Sequence, residues 1–138
     1  HQSLIYGAKI PWHTTGEMLD YLDGKVGVNI GFMTGHSGLR AYVMGHDAVS
    51  DSITRDQIDQ MKALLHQSLQ QGSLGFSSSH IETHKDHEGE DVPSLHSSHE
   101  ELIELMSIVR DYEGTIVGYV NTGRLLDEAA MKKMAAIA

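Results

Sequence analysis

Cysteine is absent from the 138 residues, which rules out disulfides and thiolate metal sites and fits a reducing compartment. Basic residues are scarce. Ten Lys and Arg stand against 19 Asp and Glu, for a formal net charge of −9, and a chain so balanced lacks the clustered cations that bind phosphate backbones. No nucleic-acid partner is expected. No apolar run approaches the roughly 20 residues of a membrane span, and the first residues lack the basic-then-apolar order of a secretory signal. The expectation is therefore a cytoplasmic protein with no membrane partner. Low-complexity tracts, a P-loop and a G-x-G-x-x-G fingerprint are also missing. Ser77–Ser79 lacks the glycine-flanked form of a nucleophile elbow, so no serine hydrolase is read here.

What is present suffices for one domain. Apolar residues make up 40% of the chain, and this length can bury a real core. Thr14 or Thr15 caps a helix running to about Asp23, with Met18, Leu19 and Leu22 on one face, and Gly24 ends it. Val26 to Met33 reads as a buried strand because it carries no charge. Ser37 can cap a short helix with Leu39, Val43 and Met44 on one side, ended by Gly45. Thr54 opens a stronger one, in which Ile58, Met61, Leu64, Leu65 and Leu69 recur at helical spacing before Gly72. A short strand spans Leu74 to Ser78. Ser97 or Ser98 starts the next helix, with Glu100 or Glu101 placed for a capping box and Leu102, Leu105, Met106 and Val109 as its stripe. Thr115 to Val120 is a strand, and Leu125 and Leu126 lead into a last helix still running at Ala138.

Strands alternating with amphipathic helices imply an α/β fold with a parallel sheet. A doubly wound sheet and part of a (β/α)8 TIM barrel both fit; a whole barrel needs about 250 residues. The beginning at His1 and the uncapped last helix give the expectation of a single domain piece, residues 1–138, cut at both ends. A partial barrel should expose sheet edges and self-associate.

Sites in both architectures form at the carboxyl ends of the strands, and three segments fall there. In Thr34-Gly35-His36-Ser37-Gly38, followed by Arg40, the imidazole of His36 can act as ligand or base and Arg40 can address an anionic group. The second, Ser77 to His96, is far longer than the usual connection of about 4–6 residues and is dense in His and acid. His84 with Asp86 could orient an imidazole for proton transfer. His80 and His84 are four apart and His84 and His87 three apart, metal-binding intervals on a helix, although the composition here is that of a loop. His87-Glu88 and His99-Glu100 each lack the second His of a zinc-protease motif. His96 and His99 fit a helix cap or the surface. The third segment is Asn121-Thr122-Gly123-Arg124.

Val28-Asn29-Ile30-Gly31-Phe32, then Gly35-His36-Ser37-Gly38-Leu39-Arg40 and Val43-Met44-Gly45, resemble the middle of the D-aminoacylase (N-acyl-D-amino-acid deacylase) branch of the amidohydrolase superfamily. The resemblance continues through Ile58, Met61, Leu64 and Leu65, and through Gly72-Ser73-Leu74-Gly75-Phe76-Ser77-Ser78. It extends over Thr83-His84-Lys85-Asp86, Gly89 and Val92-Pro93-Ser94, so that it spans about residues 12–120. It implies a distorted TIM barrel of the metal-dependent hydrolase type, in which a water activated by zinc or another divalent metal attacks the amide of an N-acyl amino acid and a barrel aspartate acts as base. No His-x-His metal pair occurs in this chain, and with Arg124 aligned to the family's Thr-His-x-Arg motif the His position is Thr122. On this reading the substrate-pocket or supporting residues are His36, Arg40, His84 and Asp86, and the segment alone is inactive. Two alternatives stay open: a non-catalytic scaffold segment whose His80, His84 and His87 bind metal loosely, and a small complete α/β binding domain.

Overall fold

The computed structural model describes residues 10–120 together with Met131, Lys132 and Ala135. Its elements run α1 (Thr15–Leu22), β1 (Thr34–Gly35), α2 (His36–Met44), α3 (Arg55–Gln70), β2 (Gly75–Ser79), α4 (His99–Val109) and β3 (Ile116–Val120), with 3-10 turns at Gly45–Val49 and Pro93–His96. The strands form one parallel sheet in the order β1-β2-β3. The α/β reading with parallel strands alternating with helices is what the structure has. The expected last helix, with Leu125 and Leu126, lies outside the described residues apart from Met131, Lys132 and Ala135, which are helical.

The helix boundaries follow local chemistry. Thr14 caps α1 by accepting from the Glu17 amide, and Thr54 caps α3 in a full capping box with Gln57. These bonds satisfy backbone donors that a helix start leaves unpaired. Gly45 ends α2 at φ 59°, a conformation that strains side chains with a Cβ. α3 packs against both α2 and α4, while α2 and α4 pack against β2. Their apolar stripes meet in one core of Leu39, Ile58, Met61, Leu65, Leu69, Phe76, Leu102, Leu105 and Met106, among others, and Met61, Leu65, Phe76, Leu102 and Leu105 are fully enclosed.

One expected element is corrected. Val26 to Met33 is not a buried strand; pairing on this side of β2 is confined to Thr34 and Gly35, apart from a single bond from the Leu74 amide to the Phe32 carbonyl (2.7 Å). Val28 is 71% exposed and Ile30 is also exposed. The lack of charge misled because Gly27 and Gly31 bring no side chain and Val28 and Ile30 stay exposed, and such a run has little to hold it in a sheet. α1 has the predicted amphipathic face, yet none of its residues is buried.

Gly75 fixes how β2 and β3 meet. Its φ is +146°, and a Cβ there would lie 1.8 Å from the Ile116 carbonyl oxygen. Only glycine allows the strands to approach so closely at the start of their shared register, Gly75 opposite Ile116.

Candidate functional site

The carboxyl ends of β1 and β2 are joined by a buried polar network. β1 ends at Gly35, so His36 opens α2 directly above the sheet. Its Nδ1 lies 2.9 Å from Ser78 Oγ on β2, and its Nε2 lies 2.8 Å from Glu101 Oε1 on α4. Arg40, one turn further along α2, donates from Nη1 to the other Glu101 oxygen (2.6 Å), from Nε to the Ala48 carbonyl (2.9 Å) and from Nη2 to the Ser50 carbonyl (2.6 Å). His36, Arg40 and Glu101 are at most 1% exposed. A carboxylate has only acceptors, so His36 must hold its proton on Nε2, facing Glu101. Its Nδ1 shares the second hydrogen bond, with the Ser78 hydroxyl.

Opposite charges meet in this network. Burial pushes the Glu101 carboxyl up, but the His36 hydrogen bond and the nearby His36 and Arg40 charges outweigh that and hold it below the usual glutamate range. The Glu101 carboxylate thus faces the Arg40 guanidinium, with the His36 imidazole bonded between the strand end and the helix. Such a satisfied network fixes a unique arrangement, whereas a half-satisfied one would be costly.

Glu101 was legible only as a capping acid. Ser98 does cap α4, accepting from the Glu101 amide at 3.0 Å, but the Glu101 side chain turns inward instead of back toward the cap. Nothing in the spacing announced this, since His36 and Glu101 are 65 residues apart. Ser78 sits in a serine run without the flanking glycines of a nucleophile elbow, and nothing local marks it as the partner of His36.

A second polar cluster sits beside the first. His80 follows β2, with its amide bonded to the Val120 carbonyl (2.7 Å). Its Nδ1 lies 2.9 Å from the Tyr119 hydroxyl on β3, and its Nε2 lies 2.7 Å from Ser97 Oγ before α4. Burial raises the Tyr119 phenol above its usual value, which keeps its proton on oxygen.

His84 and Asp86 lie in the exposed loop that follows. Asp86 shapes this loop. Its Oδ1 accepts from the Glu88 and Glu90 amides at 2.8 and 2.9 Å, and the Glu90 and Glu88 amides hold its carboxyl below the usual aspartate range. Lys85 bridges to Asp91 in both backbone and side chain, and that ion pair lowers the Asp91 carboxyl. His96 reaches Asp51 at 2.8 Å, tying the loop's far end to the segment after α2. So the sequence candidates separate: His36 and Arg40 converge on Glu101, while His84 and Asp86 belong to a tied surface hairpin. Asn121 to Arg124 lie outside the described residues. A groove of about 450 Å³ between α1, α2 and α3, lined by residues that include Thr34, Leu39, Tyr42, Leu64 and Ser68, contains none of the candidates.

These residues do not fit a metal. Among the described residues no three His, Asp or Glu side chains gather as a ligand set, so His80, His84 and His87 form no such group. What stands at the strand ends is hydroxyls, imidazoles already hydrogen-bonded, and one carboxylate held by an arginine.

No known protein-family pattern matches the chain. Uncharacterised proteins of Mycobacterium tuberculosis and Mycobacterium bovis are 34% identical to it over 70 residues, which is 48% of this chain but 12% of theirs. Among solved structures, D-aminoacylase, described as defining a subset of amidohydrolases, superposes on 89% of this chain with a TM-score of 0.62 and 27% identity. A D-aminoacylase variant in complex with copper chloride gives the same values. A further D-aminoacylase structure, concerned with the enzyme's binuclear metal centre, gives 0.59 and 26%. The chain spans 23% of those structures' length. Its three parallel strands and alternating helices therefore match part of the D-aminoacylase amidohydrolase fold, the resemblance that its sequence motifs carry.

Proposed function

We propose that this chain is the central part of a barrel in a metal-dependent amidohydrolase that cleaves the amide bond of an N-acyl-D-amino acid or a related small amide. The observation that carries the reading is the joint match of fold and sequence to D-aminoacylase over 89% of the chain. The clustering of polar residues at the carboxyl end of the sheet supports it, since that is where α/β barrels build their sites.

In this reading the described residues shape the site and hold no metal. Glu101 and Arg40 lock the start of α2 to α4, and His36 locks the end of β2 to both. That fixes the rim from which the 80–96 loop rises. The hairpin closed by Lys85 and Asp91 presents His84 and Asp86 to solvent at the mouth, placed to meet a polar substrate. A zinc or similar ion, when bound to the parent enzyme, would supply an activated water and polarise the amide carbonyl.

The test uses the protein encoded by the reading frame that contains this segment. It should release free amino acid from N-acyl-D-amino acids in preference to the L forms, and lose that activity on chelation. A protein that hydrolyses neither enantiomer, with or without added zinc, would refute the proposal.

A further inference from the structure

Successive side chains of a strand point to opposite faces of the sheet. On β2, Phe76 is buried in the core among the helices and Ser78 reaches His36 on α2, so Ser77 and Ser79 stand on the other, open face. Neither of their hydroxyls has a hydrogen-bond partner among the described residues. On both sides of Ser77 the facing residue is a glycine, Gly35 of β1 and Gly118 of β3.

Gly75 is a glycine because the strands demand it, but these two are not. Neither has a positive φ. A Cβ on Gly35 would meet nothing nearer than Ser77 Oγ at 4.0 Å. One on Gly118 would meet only the end of the Met33 side chain, Cε at 3.2 Å and Sδ at 3.7 Å, and Ser77 Cβ at 3.7 Å. A glycine inside a strand weakens it and often marks where a ligand or another backbone comes close. The three strands carry no charged side chain. Met33 borders the space above Gly118 on one side, and Val120, on the same face of β3, is half-exposed.

We propose that this space is the acyl subsite of the enzyme, with Ser77 and Gly118 as its specificity-determining residues. The acyl chain lies over Gly118 against Met33 and Val120, and the Ser77 hydroxyl donates to the amide carbonyl oxygen. The inference rests on the amidohydrolase reading and adds which part of the substrate this segment holds. An uncharged face suits the acyl end of an N-acyl amino acid, because its carboxylate would be desolvated there without a cation from these strands. The chain spans 23% of the solved D-aminoacylases, so further strands beyond β1 and β3 would turn this face into the interior of the barrel.

The experiment uses the whole protein encoded by the reading frame that contains this segment, with N-acetyl- and N-octanoyl-D-leucine as substrates. Gly118→Val should lower kcat/KM for the octanoyl substrate about tenfold or more, as a clash in a filled pocket does, and leave the acetyl substrate within about threefold. Ser77→Ala should raise KM for both about fivefold, the loss of one neutral hydrogen bond. Its urea midpoint should not move, since that hydroxyl holds nothing in the fold. Where Gly118→Val does not fold, Gly118→Ala, which adds one carbon beside the flexible end of Met33, is read in the same way. An unchanged ratio of octanoyl to acetyl turnover in the Gly118 variants, or an unmoved KM in Ser77→Ala, would overturn the inference and leave the amidohydrolase reading standing. No hydrolysis of either substrate by the unaltered protein would overturn both.

Discussion

Replacing Glu101 by alanine should be among the most damaging single changes in this chain. Its carboxylate is fully enclosed and accepts from Arg40 at 2.6 Å and from His36 at 2.8 Å. The substitution strands the Arg40 guanidinium in the core, where it keeps two backbone carbonyls but loses its only counter-charge among the described residues. Removing one partner of a buried ion pair costs about 3–5 kcal/mol. A domain of this size has about 5–15 kcal/mol to lose. With a urea m-value near 2 kcal/mol/M, the unfolding midpoint should fall by roughly 2 M, read by far-UV circular dichroism. Arg40→Met should cost a similar amount by stranding Glu101. The double variant should then cost clearly less than the sum, because the partners share one interaction. A midpoint shift below about 0.5 M for Glu101→Ala, or simple additivity in the cycle, would refute this account of the network.

The remaining predictions concern acid, glycine, the surface and association. Glu101 has a folded pKa below its unfolded value, so its contribution is present above about pH 4.3 and is lost as pH falls through the folded value. Stability of the unaltered chain should therefore drop between about pH 5 and 3 more steeply than that of Glu101→Gln, and parallel urea midpoints across that range check it. Gly75→Ala should cost more than about 2 kcal/mol, since its Cβ would strike the Ile116 carbonyl. Gly114→Ala, at φ +80° with nothing within 4 Å of the added carbon, should cost only about 1–2 kcal/mol, and thermal melts compare the two. His84→Gln with His87→Gln should stay within about 0.5 kcal/mol of the unaltered chain, as both lie exposed. The 138-residue chain should self-associate through β3, whose Ile116 and Val120 are 57% and 49% exposed and whose outer edge has no paired strand among the described residues. Ile116→Lys should shift sedimentation toward monomer, and unchanged association would exclude that edge.

The sequence revealed most where a periodic signal and a terminator agreed. Ile58, Met61, Leu65 and Leu69 with Thr54 and Gly72 marked α3, and Leu102, Leu105, Met106 and Val109 with Ser98 marked α4. Both helices are formed largely by local bonds and one apolar stripe, so a short window contains their cause. Val26 to Met33 failed because a strand needs a partner, which no local window contains. His36 and Arg40 stood out through their place after β1. Their link to Glu101 did not, because it joins residues 61 and 65 positions apart, and Glu101 sat where a capping acid is ordinary. The histidine-rich loop drew attention by composition alone. Folding ties it down through Asp86 and Asp91 instead of gathering its imidazoles.

The most direct test of the central claim is a side-by-side deacylation assay. The whole protein containing this segment and the 138-residue chain alone would each be given N-acyl-D- and N-acyl-L-amino acids, with zinc and then with chelator. The account predicts D-selective, chelator-sensitive turnover by the whole protein and none by the chain. Zinc-dependent turnover by the chain alone, or none by the whole protein, would contradict it.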